Sequence, residues 1–175
     1  MFEIRIANKT EYDTVRSFYH SLTDAIQTAE YKPCWEKDIY PSPEFLQSSI
    51  ENGELYIGKS DRKIASCMVL NHKYNEGYKN INWSVNIDDD KLFVIHALGV
   101  HPIFSGQGIA KEMVKKAIQT AEENGIKTIR LDVREGNLPA EKVYKKMGFH
   151  YVDSKKMYYE DTGWTNFLLL EYMVK

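Results

Sequence analysis

Cysteine is scarce in this 175-residue sequence: Cys34 and Cys67 stand far apart and form no CxxC pair. That scarcity excludes a disulfide framework and a cysteine-based zinc site, and leaves two reduced thiols of the kind expected in the cytoplasm. Metal-ligand spacing is missing among His20, His72, His101 and His150, so no metal is expected. No apolar run approaches the ~20 residues that cross a bilayer, and the opening MFEIRIANKT is unlike a signal peptide. Charge of one sign is not in excess either. Lys and Arg number 23 against 25 Asp and Glu, a balance of −2 that offers no basic surface for nucleic acid. No repeat, low-complexity tract or Pro/Gly/Ser linker divides the chain, so residues 1–175 read as one domain.

What is there suits a globular protein: 43% hydrophobic and 27% charged residues argue against disorder. At this length roughly two thirds of the unfolded surface can be buried, enough for a core without staples. Phe2, Ile4 and Ile6 alternate with polar residues as a strand does. Thr10 with Asp13 resembles a capping box, and Tyr12, Val15, Phe18, Tyr19, Leu22, Ala25, Ile26 and Ala29 follow at helical spacing. Ser42-Pro43 opens a second helix that Gly53 ends. LYIG and KIASCMVL read as strands joined by a tight turn at Ser60 and Asp61, and KLFVIHALGV as a strand apolar on both faces. GIAKEMVKKAIQTAEENG sets Ile109, Met113, Ala117 and Ala121 on one helical stripe. TIRLDV is a strand, NLPAEKVYKKMG a short helix and FHYVD a strand; FLLLEYMV is a last strand after a turn at Asp161 to Gly163. The order β-α-α-β-β-β-α-β-α-β-β describes a mixed sheet with helices on its faces.

The most informative stretch is LGVHPIFSGQGIAKEMV, where a strand ends at Val100 and a helix begins near Gly108. Glycines at 106 and 108 let the backbone turn sharply and approach a ligand. A helix start adds unpaired N–H groups and the positive end of the macrodipole, together a seat for a phosphate or pyrophosphate. The plain alternative is a strand–helix turn with glycines for geometry. A triphosphate loop fails because Ile109 follows Gly108 where Lys is needed, and a dinucleotide fingerprint fails because position 111 is Lys rather than Gly.

The stretch Ser105-Gly106-Gln107-Gly108-Ile109-Ala110 resembles the pyrophosphate loop of the GNAT superfamily of acyl-CoA N-acyltransferases, Arg/Gln-x-x-Gly-x-Gly/Ala, with Ser105 in place of the long polar residue. Asn137-Leu-Pro-Ala-x-x-x-Tyr144-x-x-x-Gly148-Phe149 is similar to that family's second cofactor segment. The likeness is specific from Leu98 to Phe149 and loose before it. It implies a three-layer α/β fold, a mostly antiparallel sheet of about seven strands flanked by about four helices. It also implies acetyl-CoA as acyl donor, bound through the backbone of Leu98, Gly99 and Val100, by Ser105 to Lys111 at the pyrophosphate, and by Asn137. Tyr144 resembles the family's tyrosine that protonates the departing thiolate. Asn137 before Leu-Pro also reads as an ordinary helix N-cap.

Transfer from a thioester to an amine needs a neutral amine and an outlet for the leaving thiolate. In the helix, Leu138, Val143 and Met147 can face the core and leave Tyr144 at the edge. For the base there are two candidates. His96 is the one ionisable side chain in FVIHALGV, where desolvation would keep it neutral. Asp132 shares a strand face with Arg130, which is expected to pair with it; a water relay without a single base stays open. Tyr31, Trp35, Tyr40, Trp83, Met157, Tyr158, Tyr159 and Trp164 could wall an acceptor pocket, with Glu30, Glu160 and Asp161 holding a cationic amine. The expected activity is acetyl transfer to a primary amine of a small molecule or peptide, without nucleic acid, membrane or metal, in a monomer or homodimer. The alternative is a module that binds acyl-CoA without turning it over.

Overall fold

A computed structural model describes residues 1–175. Its elements fall in the expected order: β1 (Phe2–Ile6), α1 (Tyr12–Ile26), α2 (Pro43–Glu51), β2 (Leu55–Ser60), β3 (Lys63–Asn71), β4 (Leu92–Val100), α3 (Ile109–Glu123), β5 (Thr128–Arg134), α4 (Leu138–Lys146), β6 (His150–Tyr159) and β7 (Gly163–Met173). The seven strands form one sheet in the order β1-β2-β3-β4-β5-β7-β6, antiparallel throughout except where β4 meets β5. No helix is long and apolar enough to cross a membrane.

Helices cover the sheet because each carries one apolar stripe. Met113, Val114, Ala117 and Ala121 of α3 pack with Ile129, Leu131 and Val133 on one face, joined by Tyr144 of α4 and Phe149. Val15, Phe18, Tyr19 and Leu22 of α1 and Leu46 and Ile50 of α2 cover β2 and β3 on the other. The 72–91 connection folds over the rest of that second face, where Tyr78 and Ile81 join Leu92, Val94, Met157, Phe167 and Leu169.

Three expectations are corrected. Glu11, not Asp13, closes the start of α1: its carboxylate accepts the Asn8 N–H at 2.8 Å and two bonds from Arg5, each 2.8 Å. The helix stops at Ile26, short of Ala29. The last two strands run longer than their apolar cores, pairing from His150↔Glu171 to Tyr159↔Gly163, because a two-stranded ribbon continues beyond the sheet's hydrophobic contact.

Candidate active site

Two strands that part company make the cleft. β4 and β5 pair only over Leu92–Val94 with Thr128–Arg130. Beyond that, β4 stays with β3 and β5 with β7, so the β5-facing backbone groups of residues 95–100 have no ladder partner. A bulge sharpens the divergence: Cys67 faces Gly99 while Val69 faces His96, giving β4 one extra residue. Ala97 takes it up at φ 50, a left-handed conformation that a β-carbon disfavours. Its carbonyl accepts the Tyr19 hydroxyl at 2.7 Å, which ties α1 to the bulge.

At the outer end, Gly106 and Gly108 have φ +76 and +75, and a Cβ on either would meet nothing within 4 Å. Backbone conformation requires these glycines, and the space over them is open. No side chain caps α3 at Gly108. The helix's first bond is Glu112 N–H to Gly108 C=O at 3.2 Å, so the N–H groups of Ile109, Ala110 and Lys111 are free. Ser105, Gln107 and Lys111 are exposed around them. Three free donors at a positive helix end fit a pyrophosphate, even with Ser105 in place of a longer polar side chain.

From that loop a channel of about 240 Å³ runs inward between Leu98, Gly99 and Val100 on one wall and Asn137, Ala140, Val143 and Tyr144 on the other. Asn137 does not cap α4 with its side chain, which leaves the amide available to the channel. Gly99 has a packing role as well: a Cβ there would lie 2.4 Å from Leu22 Cδ2 and 3.0 Å from the Trp35 ring. The aromatic of α4 is more buried than its pattern suggests. Tyr144 is 7% exposed while Leu138 is 43% exposed, because the helix turns its tyrosine, not its first leucine, toward β5. The Tyr144 ring packs edge-on against Phe149 at 5.4 Å. Burial, then the charge of Asp132, pushes the Tyr144 hydroxyl above its ordinary pKa, so it stays protonated.

Tyr144 also borders an inner cavity of about 100 Å³, shared with His96, Asp132, Arg134, Tyr40 and Tyr159. His96 Nε2 lies 3.0 Å from Asn71 Oδ1. That oxygen also accepts the Lys73 N–H while Asn71 Nδ2 donates to Glu54, so His96 Nε2 is the donor and Nδ1 carries the lone pair. Burial lowers the His96 pKa to about 4, so the ring is neutral at pH 7. Asp132 Oδ2 accepts the hydroxyls of Tyr78 at 2.6 Å and Tyr159 at 2.8 Å, and Oδ1 has no protein partner. Burial raises its pKa, with both tyrosines pulling the other way.

Arg130 does not pair with Asp132. It meets Glu171 at 3.1 Å, bonds the Val85 carbonyl at 2.8 Å and stacks over Trp83 at 4.4 Å, so Trp83 covers an ion pair and lines a separate pocket with Tyr78 and Arg130, not the inner cavity. Trp35, Tyr40, Tyr159 and Asp161 do reach the inner cavity; Asp161 has its pKa pushed up to about 6, chiefly by burial. Met157 is core, and Tyr31, Tyr158, Trp164, Glu30 and Glu160 are exposed. Buried Cys67 has its thiol pKa pushed up and is no nucleophile. Tyr78 and Arg134 are the residues that sequence reasoning missed. For Arg134 a signal existed, since it lies two positions from Asp132 on the same strand face.

The comparisons with known proteins agree with this geometry. Residues 19–149 match the Acetyltransferase (GNAT) family. A [ribosomal protein bS18]-alanine N-acetyltransferase of Haemophilus ducreyi is 36% identical over 93 residues, 51% of this chain and 62% of that protein. Its counterpart in Haemophilus influenzae is 37% identical over 93 residues, 51% and 61%. The chain thus spans less than two thirds of the length of these curated relatives. Among solved structures, a GNAT acetyltransferase of Streptococcus agalactiae aligns with a TM-score of 0.80 at 19% identity, covering 99% of this chain and 96% of that one. An acetyltransferase of Salmonella typhimurium solved with its cofactor acetyl-CoA gives 0.72 at 12% identity, covering 100% and 95%. Such identities speak for the fold, and the match over residues 19–149 speaks for more: this chain belongs to the acetyltransferase (GNAT) family.

Proposed function

We propose that the protein is an acetyl-CoA-dependent N-acetyltransferase that moves acetyl directly to a primary amine of a small molecule or peptide. The observation that supports this reading is that Tyr144 lines both the channel from the α3 N-terminus and the inner cavity. Tyr144 is the candidate proton donor, and a histidine and a carboxylate without ionic partners, His96 and Asp132, line the same space of about 100 Å³.

Acetyl-CoA supplies an activated acyl group, and a C–N bond to the acceptor replaces its C–S bond. The free N–H groups of residues 109–111 take the pyrophosphate, and the unladdered edge of Leu98 to Val100 with Asn137 aligns the arm. Asp132 takes the amine proton at Oδ1, the carboxylate oxygen that no protein group occupies, while burial lowers the His96 pKa to about 4 and makes that imidazole a poor base. His96 is a neutral wall that adds no charge beside the amine. Tyr144 gives its proton to the departing sulfur, and exchange through the cavity returns the proton held by Asp132. Much of the rate gain comes from holding amine and thioester together. The names of the curated relatives make the α-amine of a peptide the first acceptor to try.

Ser105 favours a second reading, an acyl-CoA-binding module without turnover, because the loop lacks one long polar side chain. Tyr144→Phe separates the two. An enzyme loses acetyl transfer and keeps acetyl-CoA affinity; a binder shows no transfer in either form.

A further inference from the structure

The proposed reaction uses no cation, yet one borders the inner cavity. Arg134, the last residue of β5, is half-buried there. Its Nη1 donates to Cys34 Sγ at 2.7 Å, a weak acceptor. Its Nε is sealed without any hydrogen-bond partner, and Nη2 has none from the protein. Asp161 feels its charge, but no carboxylate is within ion-pairing distance. The other partly or fully buried arginines are all matched: Arg5 by Glu11, Arg16 by Asp38 and Arg130 by Glu171.

We infer that Arg134 receives a carboxylate carried by the acceptor, so that the acceptor is a small amino acid rather than the amino end of a peptide. The inference rests on the acetyl-transfer reading. A buried N–H without an acceptor is costly, and a planar guanidinium edge matches a carboxylate with two parallel bonds. The unused edge is Nε with Nη2. Arg16 applies that same pair of atoms to Asp38, at 2.9 and 2.8 Å. The binding we infer requires the side chain to turn, giving up its weak Cys34 contact so that the sealed Nε edge meets the carboxylate. Asp132 and Arg134 stand two residues apart on one strand face, about 7 Å along the strand. An amine at Asp132 and a carboxylate at Arg134 are then the two ends of one compact molecule. One carboxylate, Asp132, and one guanidinium, Arg134, match the amine and the carboxylate of an amino acid. The first residue of a peptide carries a neutral amide at that point and leaves Arg134 unmatched.

The test compares acetylation of the common free L-amino acids, their C-terminal amides and an alanine-initiated peptide by the wild-type protein, Arg134→Gln and Arg134→Lys. At least one free acid is expected to exceed its own amide in kcat/KM by on the order of ten- to hundredfold, mostly through KM. In Arg134→Gln that ratio should fall toward one, and Arg134→Lys should restore part of it. The proposal is overturned if no acid outruns its amide, whether both react equally or neither reacts, or if the ratio survives Arg134→Gln. If Arg134→Gln fails to fold, the wild-type comparison of acid with amide still decides. Calorimetry with acetyl-CoA runs alongside: a protein that binds it but prefers amides refutes the subsite alone, whereas no binding refutes the acetyl-transfer reading.

Discussion

One hydroxyl should set turnover at the inner end of the cleft. Tyr144→Phe deletes the proposed proton donor and keeps the ring that packs on Phe149, so kcat is expected to fall on the order of a hundredfold with acetyl-CoA affinity nearly unchanged. Steady-state kinetics and calorimetry on the same preparation check both halves. His96 makes a separate prediction about stability. Its folded pKa is about 4 against ~6.5 for a free histidine, so between those values the unfolded chain binds a proton that the folded chain refuses. Stability therefore drops as pH falls from about 6.5 to 4. Relative to His96→Gln the loss should be on the order of 1–3 kcal/mol, the shifts of Asp132 and Asp161 cancelling between the two proteins. Urea unfolding at pH 7.5 and 4.5 measures it, and a gap that does not move with pH contradicts the account. Tyr144 and His96 stood out as candidates through a motif and a lone polar residue in an apolar run, and Asp132 through the alternation of Ile129, Leu131 and Val133, and all three line the inner cavity. Tyr78 was not, since nothing in residues 72–91 says that one hydroxyl crosses to β5.

Helix and loop obey local rules that a sequence displays. Gly106 and Gly108 announced a turn that needs positive φ, and both have it. Gly108→Ala has room for its methyl, so its cost is conformational, about 1 kcal/mol, and the bent loop should weaken acetyl-CoA binding several-fold. Thermal unfolding and titration report the two effects separately. The stripe of α3 was equally plain: Ile109, Met113, Ala117 and Ala121 are all buried. The β4 bulge was hidden, because Ala97 is not a residue that advertises left-handed backbone. The tyrosine that holds it lies 78 residues earlier in the chain. Gly99 reads as a cofactor contact in sequence and proves to be a packing necessity too, with Leu22 and Trp35 against its face.

Pairing across the whole molecule decides what no window of sequence contains. The order of elements was readable from periodicity, but the short β4–β5 contact that opens the cleft pairs residues 36 positions apart. One buried ion pair helps hold that arrangement. Glu171 is fully buried and accepts from Arg130, the Thr128 hydroxyl and the Ser84 N–H, fastening the 72–91 connection to the sheet. Glu171→Ala leaves Arg130 buried and uncompensated. It should cost on the order of 3–5 kcal/mol by denaturant unfolding, and should lower activity as Tyr78 loosens from Asp132. The central claim, that the parted strands and the α3 N-terminus form one coenzyme A site, is tested most directly by calorimetric titration with acetyl-CoA, coenzyme A and ATP. Micromolar binding of acetyl-CoA and coenzyme A, weak binding of ATP and a clear loss in Gly108→Ala are the predicted results. No binding of either thiol cofactor would contradict the claim and end the acetyl-transfer reading with it.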